Sequence, residues 1–160
     1  REDANVPAAE AARAMLARAG WDVRLRADRA RMLWTKLALN AAINPLGALA
    51  CVTNGALARD PALKDLLTAV CREAAAAARA AGCPLSASSL SRRVLRACRA
   101  TPEQRNSTLQ DLDAGRRTEI REILLPLLKA ARKTGQEAPI LSSLYKMTVS
   151  LETSLAGAAR

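Results

Sequence analysis

The sequence contains no histidine and no phenylalanine, and only 2% of it is aromatic. Without histidine, every mechanism that needs imidazole is excluded. With no C-x-x-C pair among Cys51, Cys71, Cys83 and Cys98, zinc-finger ligand sets are excluded as well. The scarcity of aromatics argues against the stacking platforms that hold single-stranded nucleic acids. No apolar run approaches the ~20 residues needed to span a bilayer, and the start lacks the basic, apolar and small-residue regions of a signal peptide. The expectation is a cytoplasmic protein with no membrane partner. In that compartment the four cysteines are expected as reduced thiols, two of them in Ala-rich helical stretches where free buried cysteine is common.

What is present is a chain of 160 residues, 50% hydrophobic and 25% charged, with a net charge of +10. That length suits one ordinary domain with a sizeable core, and the apolar content is too high for a disordered chain. A charge of +10 fits a nucleic-acid partner, an anionic small substrate, or solubility alone. Arg92, Arg93, Arg96 and Arg99 form one basic helix face, read first as solvated, second as an anion-steering rim and last as a nucleic-acid contact.

Alanine, leucine and arginine dominate and β-branched residues are sparse, so intrinsic propensity favours helix nearly everywhere. Pro7 to Ala19 reads as an amphipathic helix stopped by Gly20, and Trp21 to Leu25 alternates as a short strand. A second helix is expected from after Asp28 to Ile43, ending near Asn44-Pro45 because the residue before proline is pushed out of the α region. Asp60-Pro61 predicts a capped start, and Gly82 with Pro84 the matching stop. Further helices are expected at about 89–99, 118–133 and 140–155, with Pro126 kinking or interrupting the second of these. The stretch from Asn106 to Arg117 reads as a polar loop with a Gly turn.

Two clusters carry candidate chemistry. Lys36, Asn40 and Asn44 recur every four residues, so they share one arc of the second helix, bordered by Leu33, Leu37 and Ile43. A lysine and two amides on a largely apolar helix need partners. Lys36 reaching solvent and asparagines capping local backbone is the plainer account of them. The second cluster runs from Asn106 through Ser107 to Thr118-Glu119-Ile120, a polar loop leading into a helix start with an acidic residue at its positive end.

Taken together, W-x-K-L-x-x-N-x-x-x-N-P-L-x-A-L from Trp34 to Leu49 and S-T-L-Q-D-L-x-x-G-R-x-T-E-I from Ser107 to Ile120 resemble the C-terminal domain of ketopantoate reductases. The later P-x-x-x-x-L-Y, Pro139 to Tyr145, is similar to that family too. The resemblance implies an all-α, helical bundle-like domain, like the C-terminal domain of 6-phosphogluconate-dehydrogenase-like enzymes, over residues 28–160. Residues 1–27 are then the residual helix-strand end of a Rossmann nucleotide-binding domain. It also implies that Lys36 and Glu119 are catalytic, that Asn40, Asn44, Asn54 and Ser107 contact substrate, and that Glu119 shares its cleft with the cofactor. The implied reaction is NADPH-dependent reduction of 2-dehydropantoate to pantoate, on the way to pantothenate and coenzyme A. Arg121 departs from the family, many members of which carry an acidic residue there.

These residue types fit such chemistry. Hydride delivery to a ketone builds charge on its oxygen, which a positioned cationic acid such as Lys36 stabilises and protonates. Neutral donors such as Ser107 and the asparagines can hold the carboxylate and hydroxyl of a small 2-oxo acid. No G-x-G-x-x-G follows a strand in this sequence, so NADPH is expected to be bound mainly by a Rossmann domain in cis, and this chain alone is expected to be inactive. A homodimer is the further partner considered. The alternatives are a stand-alone helical interaction or nucleic-acid-binding module, and a paralogous reductase of another 2-oxo acid.

Overall fold

The computed structural model describes residues 6–25 and 28–158, and among them finds eight α-helices and no strand. The first, α1 (Val6–Arg18), buries none of its residues. It is followed by α2 (Arg29–Leu49), α3 (Asn54–Arg59), α4 (Pro61–Ala80), α5 (Ala87–Ala100), α6 (Ser107–Asp113), α7 (Ile120–Lys133) and α8 (Pro139–Ala158). The domain is all-helical.

Its centre is α4, packed against α2, α3, α5, α7 and α8. Ala74, Ala75, Ala77 and Ala78 of α4 and Ala38, Ala41 and Ala42 of α2 are buried, and such small side chains let helix axes approach closely. Larger side chains fill the remaining volume: Leu67 and Val70 from α4, Leu90 and Val94 from α5, Leu124 and Leu127 from α7, and Leu141 from α8. A smaller cluster of Ala48, Leu109 and Leu112, with Leu151 against it, seats α6 on α2 and α8.

Local signals set several helix ends. The Asp60 side chain accepts a hydrogen bond from Leu63 N at 2.9 Å, with Pro61 at the first helical position. At the other end of α4, Gly82 takes φ +82°, and Cys83 N bonds back to Ala78 O. That closure needs the left-handed region, which glycine enters without steric cost. The cap of α8 comes from elsewhere in the chain. Glu73 on α4 accepts from Ile140 N at 3.0 Å and from Leu141 N at 2.8 Å, placing a carboxylate on the positive end of the α8 dipole.

Several expectations are corrected. Trp21 to Leu25 is not a strand: no other strand exists among the described residues to complete a ladder, and Trp21 is 70% exposed. The helix expected to stop near Asn44-Pro45 runs on to Leu49, with Pro45 inside it. An interior proline costs about 3 kcal/mol. Burying Ile43 and Leu46, each 5% exposed, contributes a comparable or larger amount at about 1.5–3 kcal/mol apiece. Pro126 likewise lies within a continuous α7, flanked by buried Ile123, Leu124 and Leu127. Part of the polar loop is the helix α6, capped by Asn106, whose Oδ1 accepts from Leu109 N at 3.1 Å. The four cysteines are free thiols, with Cys51 exposed and the others buried. Burial pushes the Cys71 and Cys98 thiols up to about 11, in keeping with packing rather than reactivity.

The turn into α3 depends on one close approach. A Cβ on Gly55 would lie 2.7 Å from the Pro102 carbonyl oxygen, which accepts the Gly55 N–H at 2.9 Å. In an open helix Gly→Ala stabilises by up to about 1 kcal/mol. Here Gly55→Ala is expected to destabilise by about 1–3 kcal/mol, because a backbone oxygen cannot swing aside as a side chain can. Thermal unfolding checks it, and a raised midpoint would show that the 101–106 segment yields freely.

Candidate functional site

Lys36 and Asn40, one turn apart on α2, and Glu119, the residue that leads into α7, line one groove of about 400 Å³. Leu33, Trp34 and Leu37 from α2 and Ile123 and Pro126 from α7 make its apolar wall, and Glu122 stands at its side. The meeting is produced by the packing of α7 on α2. Lys36 and Glu119 are exposed and Asn40 is half-buried. The Glu119 side chain makes no capping bond to its helix. Glu122, by contrast, pairs with Arg117 at 3.1 Å.

Lys36 also borders a second groove, of about 410 Å³, shared with Asp28, Arg31, Thr35 and Arg93. Of the basic face on α5, Arg93 reaches this groove, and Arg92, Arg96 and Arg99 are exposed.

The other sequence-derived candidates sit deeper or elsewhere. Asn44, one turn beyond Asn40, is 6% exposed and donates from Nδ2 to Ser107 Oγ at 3.3 Å, across the α2–α6 contact. Asn54, at the start of α3, does not line the Lys36 groove and donates to Thr101 Oγ1 at 3.0 Å. Among the described residues, two buried amide atoms, Asn54 Oδ1 and Asn106 Nδ2, have no hydrogen-bond partner. Each such atom costs about 1–3 kcal/mol unless a water or ligand satisfies it. The Asn106 amide lies against Gly47, where an added Cβ would collide with Nδ2.

Sequence reasoning missed Glu152 on α8. Its Oε2 accepts from Thr118 N at 3.1 Å and from Thr118 Oγ1 at 2.6 Å, and its Oε1 accepts from Arg121 at 2.7 Å. These partners lie 31 and 34 residues away in the chain, so no local spacing could announce them. Burial pushes the Glu152 carboxyl up, but the bonds from Thr118 and Arg121 outweigh it and bring the group below the ordinary glutamate value.

The model of the family described as "Ketopantoate reductase PanE/ApbA C terminal" matches residues 28–152. The chain belongs to the ketopantoate reductase family, as its C-terminal domain. A 2-dehydropantoate 2-reductase from Salmonella typhi is 38% identical over 139 residues, 87% of this chain and 44% of that protein. One from Archaeoglobus fulgidus is 33% identical over 123 residues, 77% of this chain and 41% of that protein. The chain thus spans about two fifths of the length of the curated ketopantoate reductases it matches. Among solved structures, a probable 2-dehydropantoate 2-reductase from Bacillus subtilis superposes with a TM-score of 0.74 at 36% identity, covering 79% of this chain and 42% of its own. D-mandelate dehydrogenase, solved with NADH and anilino(oxo)acetate, shares the fold at a TM-score of 0.88 and 20% identity over 96% of this chain and 64% of its own.

The Glu152 bonds give this ketopantoate reductase domain a directional acid sensitivity. Because the folded carboxyl lies below its unfolded value of about 4.3, its contribution is complete above that value and lost as pH falls through the folded one. Removing the charged bonds with Glu152→Gln is expected to cost about 1–3 kcal/mol near neutrality. The variant's thermal midpoint should then converge on the wild-type midpoint between about pH 5 and 3. A constant gap between the two across that range, in thermal scans, would contradict the assignment.

Proposed function

We propose that this chain is the catalytic C-terminal domain of an NADPH-dependent 2-dehydropantoate 2-reductase, completed by a Rossmann domain in cis. One observation carries the reading: an ammonium and an amide from α2 and a carboxylate from the entry to α7 line one apolar-walled groove. None of the three makes a hydrogen bond or ion pair within the described residues, so all three are free for a ligand. Family membership and the names of the relatives supply the substrate class.

In this reading Lys36 Nζ lies beside the carbonyl oxygen of the 2-oxo acid, stabilises the charge that develops there and gives it a proton. Glu119 accepts a hydrogen bond from the substrate hydroxyl and orients the Lys36 ammonium. Asn40 donates to the acid from the α2 wall, and Leu33, Leu37 and Ile123 exclude water from the reacting carbon. Asn44 with Ser107 extends the polar surface from α2 to α6, and Asn54 keeps a buried acceptor oxygen without a protein partner. Neutral amides and a hydroxyl select by hydrogen-bond geometry rather than by charge alone.

The described residues include no strand followed by a glycine-rich turn, so they offer the dinucleotide a wall of the groove and no cradle for its diphosphate. The nicotinamide, when bound by the Rossmann domain, supplies hydride to the carbonyl carbon.

Lys36→Ala in the two-domain enzyme is expected to lower kcat/KM by about 10²–10⁴-fold. Its stability should change by no more than about 0.5 kcal/mol, since the side chain is exposed. Near-normal turnover would reject Lys36 as the acid. Titration calorimetry of NADPH into the 160-residue chain is expected to show no tight binding, and a micromolar affinity would contradict the division of labour between domains.

A further inference from the structure

Among the described residues, the Glu119 side chain makes no bond that fixes its direction. It is exposed, it caps nothing, and it precedes the first residue of α7, where helices open most readily. A carboxylate meant to meet a substrate hydroxyl must nevertheless be held, because a misplacement of about 1 Å costs on the order of a hundredfold in rate.

We infer that Glu152 is a positioning residue for Glu119: from α8 it grips Thr118 and Arg121 on either side of Glu119 and so aims that carboxylate into the groove lined by Lys36. The inference rests on the reductase reading of the groove. Both Glu152 oxygens are committed, Oε2 to the backbone and hydroxyl of Thr118 and Oε1 to the Arg121 guanidinium. Thr118 is 2% exposed, so the residue immediately before Glu119 is anchored in the interior. The Glu152 side chain is itself 13% exposed, which separates this contact from the solvated ion pairs elsewhere on the surface.

The grip is referred back to the centre of the domain. α8 is seated by buried Leu141, Leu144 and Thr148, and its first turn is held by Glu73 of α4. Two carboxylates thus connect α4 to α8 and α8 to the entry of α7, and the segment 118–121 takes its position from the core rather than from its own helix. Glu152 does not line the Lys36 groove. It therefore acts through Glu119 and touches no substrate.

The test is a double-mutant cycle on the two-domain reductase, with amide exchange on the 160-residue chain alongside. Glu152→Ala is expected to lower kcat/KM by about 10- to 100-fold in the otherwise wild-type enzyme. In a Glu119→Gln background it should lower kcat/KM by less than about twofold, since a positioning residue has nothing left to position. In the chain itself, Glu152→Ala should accelerate exchange at the Thr118 N–H and leave the Leu109 N–H, held by Asn106, unchanged. Equal losses in both backgrounds would overturn the inference, because they would mark a general structural role, and so would unaltered exchange at Thr118. If Glu119→Gln alone leaves activity intact, the reading of the groove fails first and the positioning role falls with it. Should the alanine variant not fold, Glu152→Gln takes its place in the cycle, since it keeps the shape but leaves one acceptor oxygen for donors that now use two.

Discussion

The packing of α7 across α2 is the constraint on which everything else in this domain depends. Ile120, Ile123, Leu124 and Leu127 of α7 are buried in the same core as Ala38, Ala41 and Ala42 of α2. The alanines let the two helices approach, and the branched side chains fix how far α7 slides along α2. That contact brings the entry of α7 beside α2, so that Glu119 and Lys36, far apart in sequence, line one groove. The groove is therefore a by-product of core geometry: Lys36, Asn40 and Glu119 make no side-chain bond among the described residues, while Glu122 at its side pairs with Arg117.

The helix termini transmit this geometry. Glu73 on α4 satisfies two backbone donors in the first turn of α8, and Glu152 on α8 accepts from the Thr118 N–H just ahead of α7. Each places negative charge on the positive end of a dipole, where it is stabilising. Both contacts are long-range, so the register of α7 and α8 is tied to the centre of the bundle.

The amino-acid sequence made the helical class, the caps at Asp60 and Gly82, and the shared arc of Lys36 and Asn40 legible, because each depends on neighbours within a turn or two. It misplaced what depends on the rest of the molecule. Pro45 should end α2 by local rules, yet the helix continues because the turn around it is buried. Asn106 to Arg117 has the composition of a loop, but Leu109 and Leu112 face Ala48 and make half of it helical. Trp21 to Leu25 alternates like a strand and has no strand to pair with among the described residues. The meeting of Lys36 with Glu119 was suggested by family resemblance rather than by spacing, and Glu152 carried no sequence signal at all.

The most direct measurement is a crystal structure of this chain joined to the nucleotide-binding domain proposed to complete it, with NADP⁺ and pantoate bound. The account predicts the pantoate C2 oxygen within about 2.6–3.2 Å of Lys36 Nζ, with the Glu119 carboxylate against the same ligand in the groove between α2 and α7. Pantoate seated instead in the neighbouring groove of Arg31 and Arg93, or outside both, would contradict it.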